Sequence, residues 1–203
     1  MANNYVYVLD GKAYINLTNK CRNACSFCIR NTGDGVAGTP LWLDREPTAQ
    51  DVMRAFDALP SLADKEIVFC GYGEPTENLD ALKACAAEFK ARGYTTRLNT
   101  NGLGSLATGR DISGELTDIS TVSVSLNAPD AQGYLRITNS AYGLDAFPAV
   151  VEFAKNCKAR GINTVFTVVD VIGEDEIAKC KALCAALGIP LRVRTFVADN
   201  YEG

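Results

Sequence analysis

The chain has 203 residues, of which 47% are hydrophobic and 22% charged, and its net charge is −4. This composition is typical of a globular domain and excludes a disordered chain, while the acidic balance disfavours a nucleic-acid partner. The N-terminal stretch lacks the features of a signal peptide, and no run approaches the ~18 apolar residues of a membrane span. We therefore expect a single domain over residues 1–203, located in the cytoplasm and without a membrane partner.

Strand-like and helical runs alternate along the chain. Strands are predicted at 13–19, 66–71, 95–100, 121–127, 163–170 and 191–196, and helices at 48–59, 78–93, 146–161 and 174–188, with a weaker helix near 111–117. Thr48 and Asn78 are expected to cap the first two helices, and Gly93, Gly161 and Gly188 to end the later ones. This alternation predicts βαβ units and a parallel sheet.

The predicted strands are apolar on one face only. In the run 121–127, for example, Val122 and Val124 share one face, and Ser123 and Ser125 share the other. A sheet covered by helices on both faces should be apolar on both. We therefore predict an α/β fold, specifically a partial (β/α)6 TIM-like barrel of parallel strands, open on one side, with a polar lumen. A three-layer sheet with wetted edge strands is the alternative.

Three of the eight cysteines, Cys21, Cys25 and Cys28, lie in one short loop after the first predicted strand, and the chain has no histidine. In parallel α/β folds the carboxyl ends of the strands carry the active site. Three thiolates can hold three irons of a [4Fe–4S] cluster and leave the fourth iron open. The alternatives are a zinc site completed by Cys70, because zinc takes four ligands, or a chance cluster.

The spacing Cys21-x-x-x-Cys25-x-x-Cys28 resembles the signature of radical S-adenosylmethionine (SAM) enzymes. Further stretches resemble the family's motifs in the same order: FCGYGEP at 69–75, NTNG at 99–102, VSVSLNAPD at 122–130 and, more loosely, VDVIGEDE at 169–176. The resemblance covers roughly 14–196. Its details, such as INLTNKCRNACSFCIR and GIPLRVRTF, are most similar to the TatD-associated radical SAM proteins.

The resemblance implies two cofactors, a [4Fe–4S] cluster held by the three loop cysteines and SAM. An external one-electron reductant of flavodoxin or ferredoxin type would reduce the cluster, and SAM would be cleaved to a 5′-deoxyadenosyl radical that abstracts hydrogen from a substrate. The carboxylate of Glu74 and nearby carbonyls would hold the SAM amino group. The implied SAM-contacting residues are Phe27, Ile29, Gly71, Tyr72, Gly73, Glu74, Asn99, Thr100, Ser125, Asn127 and Val171.

Basic residues on the strands give the substrate prediction. Arg192 and Arg194 share one face of the last predicted strand, and Arg97 could join them to clamp a carboxylate or phosphate. A solvated edge strand would explain the same residues. The favoured function is therefore a radical SAM enzyme acting on a small anionic molecule. The alternatives are an activase acting on a partner protein and a non-catalytic Fe–S protein.

Two other features have ordinary explanations beside functional ones. The glycine-rich loop 30–47, which contains Trp42, is either a lid or a plain surface loop. Cys180 and Cys184 share one face of a predicted helix, where cysteines usually pack as small apolar residues, so we expect them in the core rather than on a second cluster.

Overall fold

The computed structural model describes residues 3–31, 35–36 and 38–196, which form a seven-stranded sheet and six α-helices. The strands are β1 Val6–Leu9, β2 Lys12–Ile15, β3 Glu66–Phe69, β4 Thr95–Thr100, β5 Thr121–Ser125, β6 Asn163–Val169 and β7 Leu191–Arg194. The helices are α1 Ala49–Asp57, α2 Leu79–Ala91, α3 Gly104–Thr108, α4 Ala131–Thr138, α5 Ala146–Ala159 and α6 Glu174–Leu187.

The strands lie in the sheet in the same order as in the chain, from β1 to β7. All neighbours from β2 to β7 pair in parallel. Because crossovers between parallel strands are almost always right-handed, this sequential order places the helices on one face and leaves the other face as a lumen. The predicted α/β fold, an open partial barrel, is therefore confirmed.

The first strand corrects the prediction of parallel strands alone. β1 pairs with β2 in antiparallel fashion, with Val6 opposite Ile15. The two strands are joined by Asp10 and Gly11, whose φ angles are 51° and 74°. An Asp-Gly pair readily adopts this left-handed conformation, which is typical of a two-residue hairpin turn. This hairpin was not predicted from the sequence, and it extends the sheet by one strand.

The main core lies between the sheet and the helices. The residues of β5 that point toward the helices, Val122 and Val124, are fully buried. Rings from α1, α2 and β3 meet edge to face, with Phe89 4.9 Å from Phe56 and 6.3 Å from Phe69 between centroids. The period-two alternation of the strands is thus explained by one face packed against helices and one facing inward.

The predicted helices and caps are largely reproduced. Thr48 forms a capping box with Asp51 at the start of α1. Asn78 precedes α2 but caps nothing, because its amide donates to the carbonyls of Leu17 and Pro47 at 3.1 and 3.2 Å. The weak helix near 111–117 is only a 3-10 turn at Ser113–Glu115, and α3 and α4 were not predicted.

Four cysteines lie in the packed interior: Cys85, Cys157, Cys180 and Cys184. The expected core position of the α6 pair, Cys180 and Cys184, is confirmed, and they are 0% and 2% exposed. Burial raises the pKa of Cys180 to about 12 and that of Cys184 to about 11. Separately, the described residues contain no helix long and apolar enough to cross a membrane.

Candidate active site

The cysteine loop that follows β2 is fastened to helix α4. Ala24 N–H donates to the Thr138 carbonyl at 2.8 Å, and Ser26 N–H donates to the Ile137 carbonyl at 3.1 Å. The last carbonyls of a helix lack intrahelical partners, so the loop satisfies two groups that the helix end leaves free. Buried Asn23 adds a side-chain bond, donating from Nδ2 to the hydroxyl of Tyr134 at 3.0 Å.

The three loop cysteines are free, half-buried thiols that line one cavity of about 280 Å³, here called the thiol cavity. Burial, reinforced by Cys28 and Cys21, raises the pKa of Cys25 to about 12, and burial also raises the pKa of Cys21. Positive charge from bound iron would reverse this balance and favour the thiolates. The donors therefore fit an Fe–S cluster.

A cluster differs from a single ion in the arrangement of its ligands. Among the residues that the structure describes, no three Cys, Asp or Glu side chains are grouped around one point as ligands of a single metal ion. A [4Fe–4S] cluster places each of its cysteines on a different iron. The loop supplies three such cysteines to one cavity.

Polar residues at the carboxyl end of β5 also line the thiol cavity. Ser125 at the end of β5 lines it, and so does Asn127 two residues later. Asn127 is 5% exposed and has a φ of 59°. Asparagine tolerates this left-handed conformation better than most residues, which places a polar side chain at the strand end. Phe27 and Ile29 add apolar surface to the same cavity.

The turn after β3 packs tightly against the residues that follow β2. A Cβ atom on Gly71 would lie 2.1 Å from Asn16 Oδ1, and one on Gly73 would lie 2.2 Å from the Thr18 carbonyl oxygen. Glycine is therefore required at both positions by neighbours within this chain. The tight packing fixes the position of the backbone between the two strand ends.

Buried Glu74 ties this turn to the end of β4. Its Oε1 accepts from Thr76 N–H at 3.1 Å and from the hydroxyls of Thr76 and Thr100 at 2.8 and 2.7 Å. Its Oε2 accepts from Asn101 N–H at 2.7 Å. Burial raises the pKa of Glu74, although these hydrogen bonds act in the opposite direction. The carboxylate thus has four donors from the protein itself, and its predicted contact with SAM stays a prediction.

Asn101 is a site residue that the sequence analysis did not select. Its Nδ2 donates a hydrogen bond to Cys21 Sγ at 3.7 Å, and its Oδ1 accepts from Leu103 N–H at 2.9 Å. It lines the thiol cavity. The residue belongs to the NTNG stretch, so its position was marked, but its contact with a cysteine 80 residues away depends on the fold.

A second cavity of about 440 Å³, here called the inner cavity, is lined by residues of β1, β2, β4, β5 and β7. Arg97, Arg192 and Arg194 line it. Glu66 lies 3.3 Å from the Arg97 guanidinium and 2.8 Å from the Lys12 ammonium. Arg192 and Arg194 are exposed, and within the described part of the chain they form no ion pair.

The two cavities adjoin each other. Ile29, Cys70 and Arg194 line both of them. Burial raises the pKa of the Cys70 thiol, which lies directly before the glycine turn. A group bound among the loop thiols would therefore face a ligand in the inner cavity across a shared wall.

A family model described as the Radical SAM superfamily matches residues 15–180. The chain belongs to the radical SAM superfamily. Members of this family are enzymes that use a [4Fe–4S] cluster and SAM, which are the cofactors expected from the sequence. A comparison with curated proteins finds no match.

Several solved structures share the fold of this chain. TYW1 with a lysine-pyruvate adduct bound aligns with a TM-score of 0.63 and 16% identity, over 92% of this chain and 65% of that chain. A radical SAM methyltransferase from Sphaerobacter thermophilus aligns with a TM-score of 0.51 and 18% identity, over 94% of this chain and 68% of that chain. Native anSMEcpe with bound AdoMet aligns with a TM-score of 0.59 and 16% identity, over 94% of this chain and 52% of that chain. This chain therefore spans 52–68% of the length of these proteins.

The structure brings together many, but not all, of the predicted residues of the radical SAM site. The thiol cavity is lined by Cys21, Cys25, Cys28, Phe27, Ile29, Ser125 and Asn127. The inner cavity is lined by Gly71, Asn99, Arg97, Arg192 and Arg194. Neither cavity is lined by Tyr72, Gly73, Glu74, Thr100 or Val171.

At the end of β6 the structure places a different valine at the site. Val171 is 44% exposed, while Val169 lines the thiol cavity. The predicted strand included Val169, but the choice of Val171 followed a loosely matched stretch. Phe196, just after β7, also lines the thiol cavity and was missed. Both belong to residues at strand carboxyl ends, which is the signal that could have found them.

The described part of the loop 30–47 contacts the glycine turn. The Trp42 ring lies 5.0 Å from the Tyr72 ring, edge to face, and the Arg30 guanidinium lies 5.9 Å from the Trp42 centroid. Trp42 itself is 49% exposed and lines neither cavity. Residues 32–34 and 37 of this loop lie outside the described residues, so its predicted action as a lid stays a prediction.

Proposed function

We propose that this radical SAM enzyme holds a [4Fe–4S] cluster on Cys21, Cys25 and Cys28 and abstracts hydrogen from a small anionic substrate. When bound, the cluster and SAM supply the reductive cleavage of SAM and the hydrogen-abstracting 5′-deoxyadenosyl radical. One observation carries the proposal: the cavity lined by the three thiols shares a wall with a cavity lined by three arginines.

The inner cavity supports an anionic substrate. Arg192 and Arg194 lie on one face of β7 and form no ion pair in the described part of the chain, so their charge is available to a ligand. Arg97 is partly neutralised by Glu66. Guanidinium groups bind carboxylates and phosphates in a bidentate manner, which orients the ligand as well as attracting it. Because Arg194 lines both cavities, an anion held there lies next to the cofactor side.

The remaining assignments follow the family pattern. Phe27 and Ile29 would pack against the adenine of SAM, Ser125 and Asn127 would bond its ribose or carboxylate, and the carbonyls of the 71–73 turn would hold its amino group. We propose an external flavodoxin or ferredoxin-type reductant, a location in the cytoplasm, and membership of the TatD-associated group, the last on the sequence stretches noted above.

An activase that acts on a partner protein is the second candidate function. β7 lies at the edge of the sheet, and its residues are exposed from Arg192 to Arg194. Val193 is 40% exposed, so the rim beside the arginines is open rather than enclosed. An open rim suits a polypeptide segment as well as a metabolite. One structural neighbour, anSMEcpe, is known with bound AdoMet and a peptide.

The proposal is tested by anaerobic reconstitution followed by a mass-spectrometric assay of 5′-deoxyadenosine with SAM and dithionite. We expect product from the wild type and a loss of at least about a hundredfold in Cys25→Ala, because one iron loses its ligand. Cys180→Ala, a core cysteine outside the loop, is the matched control and should retain the activity. Equal activity in both variants would contradict the proposal.

The same assay separates the two candidate functions. Cell extract divided by ultrafiltration provides a low-mass and a high-mass fraction, and each is added to the reconstituted enzyme. Stimulation of 5′-deoxyadenosine formation by the low-mass fraction supports a metabolite substrate. Stimulation by the high-mass fraction alone, lost after protease treatment, supports the activase.

A further inference from the structure

We propose that Asn101 sets the reduction potential of the cluster through a hydrogen bond to Cys21, which rests on the proposed function because it assumes that Cys21 is a cluster ligand. Asn101 Nδ2 donates to Cys21 Sγ across 3.7 Å. It is a positioning and tuning residue that acts on the cluster through one of its ligands.

Two further contacts hold Asn101, and a third holds its partner Glu74. Asn101 Oδ1 accepts from Leu103 N–H at 2.9 Å, so the oxygen is committed and the NH₂ group is the end that faces the sulfur. The backbone N–H of Asn101 donates to Glu74 Oε2 at 2.7 Å. Glu74 Oε1 in turn accepts from the Thr100 hydroxyl at 2.7 Å. The buried carboxylate therefore holds the backbone of Asn101, and Leu103 N–H holds the side chain that carries the donor.

The direction of the effect follows from charge. Reduction adds one negative charge to the cluster, and that charge is shared with the ligand sulfurs. An N–H donor to a ligand sulfur stabilises the reduced form more than the oxidised form and raises the potential. Buried Glu74 lies nearby as a negative group, which acts in the opposite direction, so the amide partly offsets that carboxylate. Easier reduction matters for a cluster that must accept its electron from an external donor.

The test is an EPR-monitored redox titration of the reconstituted protein without substrate. Asn101→Ser is the main variant, because serine can still accept from Leu103 N–H in the same turn but cannot reach the sulfur with an amide. At the wild-type midpoint potential, we expect the ratio of reduced to oxidised cluster in Asn101→Ser to be lower than in the wild type by a factor of roughly three to ten. For a one-electron couple this corresponds to a lowering of about 28 to 59 mV.

Asn78→Ser is the matched control. It is the same substitution and breaks two side-chain hydrogen bonds, to the carbonyls of Leu17 and Pro47, without removing a donor to a loop cysteine. We expect its midpoint potential to equal that of the wild type. An equal shift in both variants, or no shift in Asn101→Ser, would overturn the inference.

Asn101→Asp keeps the experiment decisive if the serine variant does not hold a cluster. Aspartate retains the shape and the acceptor for Leu103 N–H but replaces the donor with a negative oxygen, so the potential should fall further. An unchanged potential in this variant would overturn the inference as well. If the wild type itself forms no [4Fe–4S] signal, the proposed function fails instead, and the two failures are thereby distinguished.

Discussion

The thiol cavity and the inner cavity share a wall but differ in how their polar groups are held. Around the thiol cavity, Asn23, Asn101 and the adjoining Glu74 are all bonded to other parts of the protein. In the inner cavity Arg97 is paired with Glu66, but Arg192, and Arg194 at the wall shared with the thiol cavity, are exposed and form no ion pair with a described residue. This difference is what we expect if, as proposed, the thiol cavity holds the cofactors and the inner cavity holds an anionic substrate.

Removing Glu74 should have the largest effect on stability. Glu74→Ala leaves the Thr100 hydroxyl, the Asn101 N–H and the Thr76 donors without their acceptor in a buried position. Each buried donor left without a partner costs about 1–3 kcal/mol, so we expect the free energy of unfolding to fall by at least about 3 kcal/mol, measured by urea denaturation of the apoprotein. Glu88→Ala, which removes an exposed helix pair with Arg92, is the control and should cost less than about 1 kcal/mol. Equal losses of unfolding free energy in Glu74→Ala and Glu88→Ala would contradict the structural role given to the buried carboxylate.

The contribution of Glu74 to the free energy of unfolding should depend on pH in a direction that its pKa determines. Burial raises the pKa of Glu74 above its usual 4.5, so the folded state binds its proton more tightly than the unfolded state. The stability that this gives is fully present below the unfolded pKa and is lost as the pH rises through the folded pKa. The free energy of unfolding of the wild type should therefore fall relative to Glu74→Gln as the pH rises from about 4.5. A difference that does not vary with pH would contradict the raised pKa.

A smaller effect is expected where the cysteine loop is fastened to α4. Tyr134→Phe removes the acceptor of Asn23 Nδ2 in a site where Asn23 is 4% exposed and Tyr134 is 0% exposed. An unpaired buried donor costs about 1–3 kcal/mol, and the loop should retain less iron after gel filtration. Tyr94→Phe serves for comparison, because the Tyr94 ring packs against Phe56 and Phe89 outside the site. Identical denaturation midpoints would show that the loop does not depend on this bond.

The smallest effect on stability is expected in the inner cavity. Arg192→Gln should change the free energy of unfolding by less than about 0.5 kcal/mol, because the side chain is exposed and makes no ion pair in the described part of the chain. Its effect should be on ligand binding: citrate, as an anionic probe, should raise the melting temperature of the wild type and not that of this variant. Arg136→Gln on α4 should behave as the wild type. Equal citrate shifts in all three proteins would argue against an anion site.

The sequence predicted those features that depend on local periodicity. The alternation in 121–127 placed Ser123 and Ser125 on the inner face, where they line the two cavities. Contacts between residues that lie far apart in the chain were not predicted. The bond from Asn101 to Cys21 arises only because the ends of β2 and β4 come together in the fold.

Short elements were missed for a different reason. Helix α4 has only eight residues and contains Gly133, which disfavours a helix in an isolated reading. In the structure, Asp130 caps it through Gly133 N–H at 2.7 Å, and the cysteine loop bonds its final carbonyls. The helix is thus stabilised by the loop that it supports, and neither stretch shows this alone.

The account depends most on whether the loop thiols hold a cluster with an iron open to SAM. The direct measurement is iron and sulfide analysis of the reconstituted protein, with EPR spectra of the reduced cluster before and after SAM is added. We expect about four irons per chain and a change in the spectrum when SAM binds. A well-formed [4Fe–4S] signal that SAM leaves unchanged, or a protein that binds a single zinc instead, would contradict the account.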